Sequence, residues 1–329
     1  MTDVPVRVAF IGAGDHMLRS HAQHLALHPD VEIAGCFDPS DASFKAFKAG
    51  LGMNGLARYL KLEDLLGDAS IPAVMIGSPD KYHLPQLLQA VRAGKHVFCE
   101  KPMCSSEGEI ADLKNILSEA KAAGLVVTSC HPRRFDPPYV WLRRNMGDLT
   151  SRYGKPVELR LDFTYHKPTK TGLHGGSMLQ DHMNHEFDYL NFLFGPCSAT
   201  AHKLLDVEDR YHAAGARDDG IVFSFGGTRR LESLSYSEAI DLRFEHATLH
   251  IDTHDQSHSF IHEHEKPGQA LLPITPGTTD YEARFKGVND NWIAAMRGGA
   301  ANYLTAEEMV ANSYMSVAFA GRDTVHCAL

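Results

Sequence analysis

The chain has 329 residues, enough for about two domains at roughly 150 residues each. Apolar residues make up 43% and charged residues 22%, a globular composition that excludes a disordered or fibrous chain. With 32 Lys and Arg against 41 Asp and Glu the formal net charge is -9, and no basic cluster offsets it, so no nucleic-acid partner is expected.

The longest apolar stretches, such as residues 71–77, fall far short of the roughly 20 residues a membrane helix requires, so no membrane partner is expected either. Arg7 is followed at once by a strand-like segment, without the zones of a signal peptide, which predicts a cytoplasmic protein. The six cysteines (36, 99, 104, 130, 197 and 327) form no C-x-x-C pair, so they read as reduced and mostly buried thiols. Protonating the 20 histidines would reverse the sign of the net charge, and solubility should change through mildly acidic pH.

From residue 6 to about 130, short β-branched runs alternate with helical stretches. Strands are predicted at 6–11, 31–37, 73–77, 96–99 and 125–130, with crossover helices at 18–27, 82–93 and 107–123. Gly94 and Gly124 stand where helix C-caps belong. This alternation reads as a doubly wound parallel α/β sheet filling residues 1–130. After Pro132, Pro137 and Pro138 the segments 157–165, 198–205, 220–225, 230–237 and 247–252 alternate as antiparallel strands do, with helices at 180–194, 281–297 and 306–320. Residues 131–329 are therefore expected to form an α+β domain with a large, mostly antiparallel open sheet.

The first strand ends in Gly12-Ala13-Gly14-Asp15-His16-Met17. In a dinucleotide turn the first glycine makes the bend, the second admits the pyrophosphate, and the following helix N-terminus holds the anion. Gly12 and Gly14 fit, His16 lies beside them, and Met17 replaces the third glycine. Taken alone the turn is also what an ordinary βα connection looks like. Asp38 closes the second strand about 20 residues later, where a carboxylate bonds the adenosine ribose; alone it is equally a turn residue. Together they predict a nucleotide site. Asp38 repels a 2'-phosphate and no Arg follows in Pro39-Ser40-Asp41, so NAD is favoured over NADP.

The run from Gly77-Ser78-Pro79 to His83, then Ala93-Gly94-Lys95-His96-Val97 into Glu100-Lys101-Pro102, resembles the Gfo/Idh/MocA oxidoreductases, named for glucose-fructose oxidoreductase and inositol dehydrogenase. The resemblance covers most of residues 6–135, including His21, and resumes at Gly175-Gly176-Ser177 to Asp181, His185 and Asp188; it is weak between about 198 and 280. It implies a Rossmann first domain, a cis Lys101-Pro102 peptide, and Lys101, Asp181 and His185 grouped around a substrate hydroxyl. Ser78 and His83 are implied near the nicotinamide half of the cofactor and Glu100 at its ribose. The stretch from Cys130 to Phe135 departs from the family's Asn-x-Arg-Phe segment, with His131-Pro132 in place of Asn.

The residues support that chemistry independently. Oxidising an alcohol sends a hydride to the nicotinamide and releases a proton, so a site needs a base near neutral pH and a cation to stabilise charge on oxygen. His185 and Lys101 supply these, and Asp181, four residues before His185, shares its helix face and can orient the imidazole. A surface lysine and a solvated helix-start ion pair are the plainer alternatives. His166, Lys167, Lys170 and His174 precede this helix, and His166 in particular is a candidate for reading substrate hydroxyls.

No metal site is predicted. His254, His258, His262 and His264 fit a polar sheet face, Tyr189 breaks an H-E-x-x-H motif, and no G-x-S-x-G elbow exists. The expected protein is an NAD-dependent oxidoreductase acting on a secondary alcohol of a small polyhydroxylated substrate, a sugar, sugar derivative or cyclitol, and paired as a homodimer or homotetramer. An NAD-dependent glycosidase working by transient oxidation, and a non-catalytic NAD-binding sensor, are the alternatives.

Overall fold

The computed structural model describes residues 4–165, 177–207, 209–229, 236–264 and 271–328. The chain divides into two compact units, Met1–Pro132 with Phe285–Ser313, and Arg133–Arg284 with Tyr314–Leu329. A single cut near residue 130 leaves out the return of Phe285–Ser313 to the first unit.

In the first unit, β1 (Val6–Ile11), β2 (Val31–Phe37), β3 (Arg58–Tyr59), β4 (Ala73–Ile76), β5 (His96–Cys99) and β6 (Val127–Ser129) form a parallel sheet in the order β3-β2-β1-β4-β5-β6. This is the doubly wound dinucleotide-binding order, with ligands taken at the carboxyl ends of the strands. Its core strands are apolar throughout: Val8 to Ile11 and Ala73 to Ile76 are all buried, as a sheet covered on both faces demands. The crossover helices are α1 (residues 15–25), α2 (Asp41–Leu51), α3 (Leu62–Gly67), α4 (His83–Arg92) and α5 (Ile110–Ala122). Helix α1 starts at Asp15, three residues earlier than the apolar periodicity indicates, and it carries a π-turn over Leu18–Ala22. Gly94 and Gly124 do adopt positive φ at the ends of α4 and α5.

The second unit opens with α6 (Pro137–Tyr153), a helix not among those expected from the sequence. Proline at the first helical position has no N–H to lose and a φ already suited to the helix, so Pro137-Pro138 starts α6 rather than breaking it. Next come β7 (Pro156–Tyr165), α7 (Met178–Phe194), β8 (Ala199–Val207), β9 (Arg210–Arg217), β10 (Val222–Thr228), β11 (Tyr236–Phe244), β12 (Ala247–Asp252), β13 (Phe260–Glu263) and β14 (Leu272–Pro273). Helices α8 (Tyr281–Met296) and α9 (Ala306–Val317) precede the last strand, β15 (Thr324–Cys327). The nine strands order as β14-β13-β12-β11-β7-β10-β9-β8-β15, all antiparallel neighbours except β7 and β10. The strand expected at 230–237 lies instead at Tyr236–Phe244; residues 230–235 are outside the described residues.

Period-two alternation sets the faces of this sheet. Leu159, Leu161, Ile240, Leu242, Leu249 and Ile251 are buried, while Glu158, Arg160, Asp241, Arg243 and His250 point the other way. On the polar face Arg243 pairs with Glu158 at 2.8 Å, and His250 Nδ1 lies 2.6 Å from Asp241 Oδ1. The hydrogen bond to Asp241 raises the His250 pKa above its ordinary 6.5 against the opposing effect of burial. Its contribution to stability is therefore full below pH 6.5 and is lost as pH rises through the raised value. Asp241→Asn should bring the ring back toward ordinary titration, which an NMR pH titration of the His250 Cε1 proton reads.

Candidate active site

The loops at the carboxyl ends of β1, β2, β4 and β5 carry the cofactor candidates. Gly12 follows β1 with φ +98°, its N–H donating to Phe37 O at 2.9 Å. A Cβ there would stand 2.7 Å from Ser78 N, so only glycine fits the crossing of these two loops. Gly12→Ala combines the left-handed backbone penalty with this overlap; a loss of at least about 2 kcal/mol is expected in chemical denaturation, together with weakened dinucleotide binding.

Gly14 differs from Gly12: a Cβ on it meets nothing within 4 Å, leaving open space where the backbone faces outward. Gly14 caps α1 without a side-chain hydrogen bond, so the first turn of the helix offers its N–H groups to an anion. Asp38 Oδ2 accepts from Ala13 N at 2.8 Å and Oδ1 from Ser40 N at 2.7 Å, which fixes the carboxylate at the edge of the turn. Two carboxylate oxygens have lone pairs beyond those two bonds, as a ribose diol requires. These features fit a dinucleotide.

Met17 in place of a third glycine is matched elsewhere. Its side chain is buried, and a Cβ on Gly77 would overlap Met17 Cε. The volume missing at Gly77 admits the volume added at Met17.

Lys101 follows β5, and the Lys101-Pro102 peptide is cis. Glu100 Oε2 accepts the Lys101 N–H at 3.2 Å, while Glu100 Oε1 lies 2.7 Å from His21 Nε2 and 3.1 Å from His16 Nε2. Burial pushes the Glu100 carboxyl up, yet the two imidazoles outweigh it and hold the group well below the usual carboxylate range. His16 is likewise pulled down by burial and raised on balance by the Glu100 carboxylate. His83 is buried, with Nδ1 2.7 Å from Pro102 O and Nε2 2.7 Å from Ser78 O. Both ring nitrogens are therefore engaged by backbone, and His83 braces the β4 and β5 loops against each other. Ser78 Oγ donates to Gln86 Oε1 at 2.6 Å.

Arg58 was invisible to a reading confined to the residues after Asp38. The pairing of β3 with β2 brings it to that strand end, where Nη1 lies 2.5 Å from Asp41 Oδ1 and Nη2 lies 3.4 Å from Asp38 O.

In the second unit, α7 is capped by Ser177 Oγ, which accepts from Gln180 N at 3.1 Å and donates to Asp206 Oδ2 at 2.8 Å. From Met178 to Asn191 every residue is buried except Gln180, Asp181 and His185. Asp181 and His185, one turn apart, are thus partly exposed on one side of a helix whose middle is otherwise buried. Asp181 Oδ2 lies 3.8 Å from Arg229 Nη2, a cation the sequence reading did not bring here.

Arg133 and Arg134 reach the buried acids of this helix. Arg134 clamps Asp188 through Nε at 3.0 and 3.1 Å and Nη2 at 2.8 Å. Arg133, buried, pairs with Glu238 and stands 3.5 Å from Glu186, whose Oε1 also accepts the Tyr211 hydroxyl at 2.7 Å. Asp136 and Glu238 face Arg284 in the same buried network. Lys167, Lys170, His174 and the candidate His166 lie outside the described residues.

The oxidoreductase family with an NAD-binding Rossmann fold matches residues 6–131. Over those residues the chain carries the NAD-binding domain of the Gfo/Idh/MocA oxidoreductases. Relatives in the family include inositol 2-dehydrogenase of Rhizobium meliloti, 25% identical over 90% of each chain. The 1,5-anhydro-D-fructose reductase of Ensifer adhaerens is 26% identical over 68% of this chain and 70% of its own. The fold recurs in solved structures. GenD2 of gentamicin A biosynthesis, in complex with NAD, has TM-score 0.80 at 18% identity over 99% of this chain and 97% of its own. An oxidoreductase domain protein from Kribbella flavida has TM-score 0.81 at 17% identity over 99% of this chain and all of its own.

Proposed function

We propose that this protein transfers a hydride between NAD and a secondary alcohol or ketone of a sugar, sugar derivative or cyclitol. Asp181 and His185 on helix α7 carry the reading: two ionisable groups one turn apart stay partly exposed on a helix whose middle is otherwise buried. The relatives named for inositol and anhydrofructose support the substrate class.

When bound, the dinucleotide accepts or returns the hydride. The loop from Gly12 to His16 and the N-terminus of α1 hold its phosphates, Asp38 its adenosine ribose, and Glu100 and Ser78 its nicotinamide half. His185 takes the hydroxyl proton, Asp181 orients the imidazole, and Lys101 stabilises charge on the substrate oxygen. His166 is a further contact to the substrate. We also propose a cytoplasmic homodimer or homotetramer. Among the described residues no helix is long and apolar enough to cross a membrane, and the polar outer face of the nine-stranded sheet offers a self-pairing surface.

Reduced-nicotinamide absorbance on mixing the protein and NAD with aldoses, sugar acids and cyclitols tests the activity. Turnover with one substrate group and preference for NAD is the expected result; cofactor binding without turnover on any member would overturn it and favour a glycosidase or a sensor. Asp38 and the pairing of Arg58 with Asp41 underlie the preference for NAD. Replacing Asp38 and Asp41 together by Ser removes two carboxylates and releases Arg58, so the NADP-to-NAD ratio of kcat/KM should rise by about tenfold or more.

A further inference from the structure

We propose that His16, His21 and Glu100 form a binding site for a divalent transition-metal ion of the zinc class. Their ligand atoms all lie within 4.8 Å of one another, and both imidazoles present Nε2 to the same carboxylate oxygen.

No metal-binding spacing marks these residues in the chain. His16 and His21 are five residues apart, which in a regular α-helix splays them across different faces. The π-turn over Leu18–Ala22, closed by Gln23 N–H to Leu18 O, is an i to i+5 turn and draws residues five apart onto one side. Glu100 then comes in from the end of β5.

The outer partners are those of a metal site. A ligating histidine is usually oriented by a hydrogen bond at its other ring nitrogen. His21 Nδ1 lies 2.8 Å from Asn289 Oδ1, and Asn289 Nδ2 donates to Ser20 O at 3.4 Å, an arrangement that gives the amide its orientation. With Nδ1 held by that oxygen, Nε2 is the ring nitrogen that faces Glu100, and it would ligate an ion on release of the proton it shares with the carboxylate. His16 Nδ1 is held 3.1 Å from Ser20 Oγ, and Glu100 Oε2 by the Lys101 N–H.

Two imidazoles and one carboxylate suit zinc and its neighbours rather than magnesium or calcium. Zinc bonds of roughly 2.0–2.1 Å need tetrahedral ligand separations of about 3.3 Å. The separations from Oε1 of 2.7 and 3.1 Å therefore widen by a few tenths of an ångström on binding. His21 and Glu100 are buried while the His16 side chain is 54% exposed, so an ion has an entry side and an open coordination position there.

Glu100 and the Gly12–His16 loop also belong to the cofactor reading above. If that reading holds, ion and dinucleotide compete, and zinc inhibits by displacing the cofactor.

The experiment uses the full chain stripped with a chelator and then dialysed. Titration with cobalt(II), followed by its visible absorption, should show one equivalent bound with the intensity of a low-coordinate site. His16→Ala, at an exposed position, should weaken that affinity at least tenfold, and Asn289→Ala by a similar factor through the outer shell. His262→Ala, on β13 of the second sheet, should change nothing. Cobalt binding with equal affinity to the parent and to His16→Ala overturns the site. A second arm titrates NADH by fluorescence with and without one equivalent of zinc. A tenfold weaker NADH affinity with zinc is expected, and an unchanged affinity overturns the competition. Failure of NADH to bind the metal-free protein would refute the cofactor reading instead, while the cobalt titration still decides the metal site.

Discussion

Lys101→Ala is expected to lower kcat by about 10²–10³-fold, the usual consequence of removing one group that stabilises charge developing on oxygen. Dinucleotide affinity should change far less, because most of the proposed cofactor contacts come from the Gly12 loop, Asp38 and Glu100. Lys101→Arg should not restore the rate: a guanidinium supplies charge, but its planar fork is bulkier than an ammonium and spreads that charge away from the point the oxygen needs. Single-turnover kinetics with NADH titrations on each variant separate the two effects. A Lys101→Ala enzyme with full kcat would remove Lys101 from the proposed chemistry.

The second large effect concerns stability. Glu238 is buried between Arg133 and Arg284, with Asp136, Glu186 and Tyr211 completing the network. Glu238→Ala strips one carboxylate from two buried guanidinium groups. A loss of about 3 kcal/mol is expected, since removing one partner of a buried ion pair leaves charge undercompensated. For a domain of this size that lowers Tm by roughly 6–12 °C, as differential scanning calorimetry reads. Arg133→Met with Glu238→Leu should recover part of the loss, because apolar replacements of similar volume need no partner.

The first unit was legible because its signals are local. Gly12 and Gly14 at a strand end, Asp38 at the next, and the glycine caps at Gly94 and Gly124 each state a backbone requirement within a few residues. The alignment of Asp181 with His185 was legible for the same reason, through helical spacing alone. What escaped notice depends on contacts far apart in the chain. Arg58 reaches Asp41 through strand pairing, Gly77 accommodates Met17 across two loops, and Asn289 orients His21 from 268 residues away. Helix α6 went unassigned because proline marks a loop or a helix entrance alike, and only its position distinguishes them. The π-turn in α1 leaves the apolar periodicity nearly unchanged, so its effect on His16 and His21 has no signature in composition or spacing.

The return of Phe285–Ser313 to the first unit sets the order in which this protein can be built. Trp292, fully buried, packs on Phe98 with ring centroids 5.7 Å apart, and Phe285 lies 5.6 Å from His16 and 5.5 Å from His21. A nascent chain halted after Pro132 has all six strands of the parallel sheet but lacks the side chains that cover this end of it. The domain that leaves the ribosome first is thus completed only after strands β7 to β14 of the second sheet have been synthesised, and a fragment ending at residue 132 would carry an apolar wound where α8 belongs.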